Sequence, residues 1–144
     1  SAYKMYDVQT DYLSGTFQKP MQAKNRFFGN LEYETAVEDN SKQWKIDFTY
    51  NWIGEQQLPN TKSNPTTDRL SGFSPAYSLM NTQITRVFSR VFEVYFGGEN
   101  IGNYTQTKVI LGSENPFGAT FDSSIVYAPV FGQMFYAGLR FKIK

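Results

Sequence analysis

The chain has no cysteine and no histidine. Without thiols there is no disulfide, no thiol nucleophile and no thiolate metal site, and that absence assigns no compartment. Without imidazole the commonest general base and the commonest metal ligand are both missing. Neither sign of charge dominates, with 14 Lys and Arg against 13 Asp and Glu. No basic run or basic–aromatic stripe stands out, so no nucleic acid partner is expected. No apolar run reaches 18 residues and no charged-then-apolar leader opens the chain. Neither a transmembrane helix nor a signal peptide is therefore expected. A membrane span built from strands escapes that argument. Alternating strands average to low hydropathy, so a mean hydropathy of −0.47 is no obstacle.

Aromatic residues are abundant. Thirteen Phe, ten Tyr and two Trp make up 17% of 144 residues, a composition suited to strands. Six segments read as strands, and no helical period of useful length interrupts them. The first spans about 1–12, with unclear phase. The second, about 25–35, sets Phe27, Leu31 and Tyr33 against Arg26, Asn30, Glu32 and Glu34. The third, about 43–53, alternates most cleanly: Trp44, Ile46, Phe48, Tyr50 and Trp52 oppose Lys45, Asp47, Thr49 and Asn51. The fourth, about 76–88, opposes Met80, Thr82, Ile84 and Phe88 to Asn81, Gln83 and Thr85. The fifth, about 91–101, opposes Phe92, Val94 and Phe96 to Glu93, Tyr95 and Glu99. The sixth, from about 133, alternates Phe135, Ala137, Leu139, Phe141 and Ile143 with Tyr136, Gly138, Arg140, Lys142 and Lys144. Successive strand side chains point to opposite faces, so each segment has one apolar and one polar side.

The connections segregate. "AVEDNSK" and "SRV" are short, whereas "LSGTFQKPMQAK", "GEQQLPNTKSNPTTDRLSGFSP" and the stretch from about Gly102 to Gly132 are long and rich in turn residues. In an antiparallel meander every long loop then leaves one end of the sheet. A soluble sandwich has little reason for that arrangement; an outer-membrane barrel has short periplasmic turns and long external loops. Trp44 and Trp52 bracket the apolar side of the third segment eight residues apart. That is roughly 26 Å of strand at about 3.3 Å per residue. Tilted, it covers on the order of 20 Å of height, close to a barrel's apolar band. If paired residue numbers in the second hairpin sum to 79, Phe27 faces Trp52, Leu31 faces Phe48, Tyr33 faces Ile46 and Glu34 faces Lys45. Gly29 then lies beside Tyr50, the aromatic cover a strand glycine often receives. Arg86 falls on the apolar side but next to a short turn, where its stem can stay in the apolar zone while the guanidinium reaches headgroups. There the cost is only about 0–1 kcal/mol.

In order along the chain, "YKMYDVQTDY", "WIGEQQLP", "FSPAYSLMNTQITRVF", "FEVYFGGENIGNYTQ", "NPFGATFDSS" and "YAPVFGQMFYAGLRF" resemble the carboxyl-terminal end of a TonB-dependent outer-membrane receptor. "ENIGNY" and "FYAGLRF", at that separation, are the specific matches. Gln133 departs where such receptors often carry Arg, and Lys144 where an aromatic terminus is common. The resemblance implies an all-β protein whose six or so antiparallel up-and-down strands form part of the wall of a transmembrane barrel of about 22 strands. It implies import of a scarce nutrient (a glycan, peptide or metal chelate) across a bacterial outer membrane, with no enzymatic activity, no metal and no cofactor. Residues 1–144 would be the last strands and external loops, with the plug, and contact with TonB through it, lying upstream. Outer-membrane lipid, the outer-membrane assembly machinery and a surface lipoprotein are the implied partners.

On this reading Lys45, Asp47, Asn51, Asn81, Gln83, Glu93, Arg140 and Lys142 are lumen-facing candidates. Phe117, Phe121, Tyr127 and Phe131 are external-loop contact candidates, with loop packing as their other role. Gly138, Phe141 and Ile143 resemble the terminal signal read by the assembly machine, an exposed strand recognised through edge pairing; they also serve simply to close a barrel. Six strands leave two unpaired edges, so an isolated chain would oligomerise through them or curl into a soluble half-barrel. Two other classes stay open. A soluble lipocalin-like barrel for a small ligand would turn the Trp44, Phe48 and Trp52 side inward. A carbohydrate-binding module would use the loop aromatics. Glu32 and Glu34 have a spacing that suits paired carboxylates, and also that of a solvated strand face.

Overall fold

The computed structural model describes residues 1–7, 9–12 and 15–143. Its described residues are all-β apart from two short 3-10 turns. The strands are β1 (Ala2–Met5), β2 (Gln9–Tyr12), β3 (Gly15–Gln18), β4 (Asn25–Glu34), β5 (Gln43–Ile53), β6 (Tyr77–Ser89), β7 (Phe92–Glu99) and β8 (Met134–Phe141). Six of them make one antiparallel sheet in the order β1-β4-β5-β6-β7-β8, and β2 pairs with β3 in a separate hairpin. The sheet is open, with β1 and β8 at its edges.

The five later strands lie where period-2 alternation puts them. The β4–β5 register is the one expected: Phe27 opposes Trp52, Gly29 opposes Tyr50, Leu31 opposes Phe48 and Glu34 opposes Lys45. The first segment differs. Instead of one strand over 1–12, β1 pairs with β4 while β2 leaves the sheet to pair with β3. Asp7 explains the break, because its carboxylate accepts the Gln9 N–H at 3.0 Å, a local turn that competes with the ladder. Val8 within the first expected strand, Leu13 and Ser14 at the start of the first long connection, and Lys144 of the terminal alternation lie outside the described residues.

Connections at one end are short: residues 35–42 after β4, and Arg90 and Val91 after β6. The three long connections share the other end and grip one another. Ala23 of the first bridges to Gln56 of the second, which is itself closed by a bridge from Gln57 to Phe73. The Gln56 Nε2 donates to the Tyr127 carbonyl at 3.2 Å. The buried apolar cluster sits here, with Leu58, Leu111 and Ile125 packed against Met21, Leu70 and Tyr127. It lies among the loops and covers neither face of the sheet.

The sheet is inside out compared with a water-soluble layer. On the apolar side Leu139 is 71% and Leu31 67% exposed, whereas Thr85 and Glu93 on the polar side are 7% and 9% exposed. On the polar side, residues of five strands line a single hollow.

Candidate functional site

Lys45, Asp47, Gln83, Glu93, Arg140 and Lys142 line that hollow, of about 400 Å³, together with Glu32 and Glu34. Cross-strand register makes it. Glu34 opposes Lys45, and the two form an ion pair at 2.8 Å. Glu93 opposes Arg140 and is paired with it. Farther along β4 and β5, Asn30 Nδ2 donates to Asp47 Oδ2 at 3.0 Å and to Thr49 Oγ1 at 3.1 Å. Glu32 directly opposes Asp47, so two carboxylates face each other where the register places like charges. The Glu32–Glu34 carboxylate pair is thus divided: Glu34 is engaged by Lys45 and Gln43, and Glu32 meets another acid. Among the described residues no group of three or more acidic, His or Cys side chains gathers to hold a metal.

Asn51 and Asn81 stand apart from this hollow. Asn51 lines a second one of about 350 Å³ with Lys4, Arg26 and Phe28. Asn81 accepts the Asn100 N–H at 2.9 Å and so helps hold a loop. There the chain uses two asparagines at positive φ, Asn100 at 48° and Asn103 at 52°, a conformation their short polar side chains tolerate. Asn100 Nδ2 donates to the Tyr104 carbonyl at 2.8 Å and its Oδ1 accepts the Tyr104 N–H at 3.1 Å. Asn103 Oδ1 accepts the Gln133 N–H at 3.0 Å, next to the start of β8. The "ENIGNY" stretch is therefore a clasp joining the end of β7 to the beginning of β8.

Gln106 does the same deeper in the loop. Its buried amide donates to the Lys108 and Ile125 carbonyls, both at 2.7 Å, and accepts the Tyr127 N–H at 2.9 Å. Removing it strands several buried backbone groups, each costing about 1–3 kcal/mol. We expect Gln106→Ala to raise the rate of proteolytic cleavage within 102–132 more than tenfold, with cleavage elsewhere unchanged. Tyr104 stacks on Tyr77 at 4.9 Å. Burial, then the neighbouring Tyr127 and Tyr77 phenols, push the Tyr104 phenol above its ordinary value. The Ser124 hydroxyl and then its N–H hold the Asp122 carboxyl below the usual carboxylate range. Its contribution is thus present above the unfolded pKa and is lost only as pH falls through the lower folded value.

The loop aromatics separate. Phe117, at a loop tip, is 101% exposed and Phe131 is 77% exposed. Phe121 is only just exposed, while Tyr127 is half-buried against the loop cluster. Of the three terminal positions, Gly138 and Phe141 lie in edge strand β8 and Ile143 lies just past it, almost fully exposed.

Tyr95 and Tyr136 escaped the sequence reading. Tyr95 opposes Gly138 and Tyr136 opposes Gly97, and each ring covers the glycine across from it. The rings meet edge-on at 6.3 Å, and Tyr136 donates to Gln83 Oε1 at 3.1 Å, two strands away. The glycines were the available signal, since Gly inside a strand often marks close approach. Arg140 lies over the Tyr95 ring at 5.8 Å besides pairing with Glu93. Because Arg140 is largely exposed, we expect Arg140→Ala to cost only about 1 kcal/mol in urea unfolding. The cost should disappear when Glu93→Gln is already present.

Comparison with known proteins gives no match: no family model, no curated protein and no solved structure is similar to this chain.

Proposed function

We propose that this chain forms part of the wall of an outer-membrane β-barrel, belonging to a TonB-dependent transporter that imports a scarce nutrient (glycan, peptide or metal chelate). The observation that carries the reading is the sheet's apolar side, which stands exposed with no protein layer over it, while the charged pairs gather on the other side. In lipid, an outward apolar band needs no protein layer over it and a polar lumen needs water. Aromatic side chains stand towards both ends of the band. Tyr3, Phe27 and Trp52 pair in a row near the long loops. Trp44, Phe88, Phe92 and Phe141 stand near the short turns. Interfacial girdles have that disposition.

The free edges of β1 and β8 argue for further strands, since backbone groups cannot stay unpaired in a bilayer. Lys45, Asp47, Gln83, Glu93, Arg140 and Lys142 would then line the lumen, and the long loops would face outside. A lipocalin-like barrel needs the Trp44 side turned inward and enclosed around its ligand, whereas Trp44, Ile46, Leu31 and Leu139 on that side are exposed. The transport activity itself rests on the sequence resemblance. The test is a blot of membrane fractions with an antibody against "FYAGLRFKIK". An outer-membrane band whose mobility shifts on boiling is expected; a band confined to the soluble fraction overturns the reading.

A further inference from the structure

We propose that Arg86 and the cleft beside it bind an anionic phospholipid, with the guanidinium on the headgroup phosphate and the cleft along the first acyl methylenes. The inference rests on the wall reading and adds a specific lipid site to it. Among the described strand residues on the apolar side, Arg86 is the only charged one. Its guanidinium lies 4.8 Å over the Trp44 ring and 5.9 Å from the centre of the Phe88 ring. The ion pairs among the described residues join Glu34 to Lys45, Asp68 to Lys108 and Glu93 to Arg140, so none of them neutralises it. Glu93, close in sequence to the cleft, points to the other side of the sheet and is engaged by Arg140.

The rings fix the guanidinium plane while leaving its edge donors open, and those donors match phosphate oxygens. Next to it runs a cleft of about 360 Å³, lined by Trp44, Ile84, Phe88, Val94 and Phe96. A soluble anion would use the cation and ignore the cleft. An apolar protein segment would use the cleft and leave the cation unpaired. An anionic amphiphile satisfies both. The site lies three residues from the end of β6, by the short turn, at the height where headgroups meet the apolar band.

The chain has only two tryptophans, which makes the test direct. In the Trp52→Phe chain reconstituted in phosphatidylcholine vesicles, Trp44 fluorescence is titrated with acyl-brominated phosphatidylglycerol or acyl-brominated phosphatidylcholine. Both lipids should quench it, with phosphatidylglycerol favoured about fivefold, the scale of one basic side chain at an anionic surface. Arg86→Gln should abolish the preference and leave quenching by phosphatidylcholine intact; Arg86→Lys should retain part of it. Equal quenching by the two lipids, or a preference that survives Arg86→Gln, overturns the lipid site and leaves the wall reading standing. No quenching by either lipid overturns this inference, and the blot of membrane fractions then decides the wall reading separately.

Discussion

Phe48→Arg should empty the membrane fraction of this protein, while Thr49→Arg, one residue along the same strand, should stay near the parent level. Phe48 is in the middle of β5, between Leu31 and Thr82 on the apolar side. In lipid an arginine at the midplane of a barrel wall costs about 2–4 kcal/mol, or between about thirtyfold and about a thousandfold in partition. The Thr49 side chain points to the polar side, where it accepts a hydrogen bond from Asn30, and an arginine there stays hydrated. Quantitative blotting of outer-membrane fractions reads both variants. Equal levels would remove the basis of the wall proposal, because in water a cation on the exposed side costs almost nothing.

The second large effect is expected at Gly138. A Cβ at Gly138 falls inside the contact shell of the Tyr95 Oη and Cζ, just as one at Gly97 collides with Tyr136. Tyr95 cannot simply swing away, since Tyr136 meets it edge-on and Arg140 lies over its ring. Overpacking of this kind costs about 1–3 kcal/mol. Gly138→Val should therefore lower the urea midpoint, and Tyr95→Ala in the same chain should recover most of the loss. If the double variant is as unstable as the sum of the singles, the interlock is not the reason for glycine at 138.

Strands β4 to β8 were legible because one physical rule, opposite faces for successive residues, acts over 8 to 13 residues at a time. The β4–β5 register was legible too, since a slip by one residue would have set Phe48 against Glu32 or Asn30 instead of Leu31. The β2–β3 hairpin was not. Its strands have four residues each, and its existence turns on the Asp7 turn and on Gly15 at a φ of 130°. The side of each hollow-lining residue was readable from parity, yet its company was not. Parity puts Asn81 beside Gln83 on the polar side, but whether it faces the hollow or holds Asn100 depends on a loop whose path no local pattern fixes. The interlocked tyrosines failed to register for a related reason: nothing within either strand says that its glycine will sit opposite the other strand's tyrosine.

The placement of the apolar cluster among the loops also has a thermal consequence. Unfolding raises heat capacity by about 0.45 cal/K/mol for each Å² of apolar surface newly wetted, and here the sheet shelters little such surface. Leu58, Leu111 and Ile125 supply the largest part of what is enclosed, with Ala23, Ile53 and Ala128 beside them among the buried apolar residues. In water or mild detergent the heat-capacity increment should fall below the usual 12–15 cal/mol/K per residue, giving a stability curve with unusually little curvature. Such a protein loses little of the hydrophobic effect on cooling and so resists cold denaturation, while chain entropy still unfolds it steadily on heating.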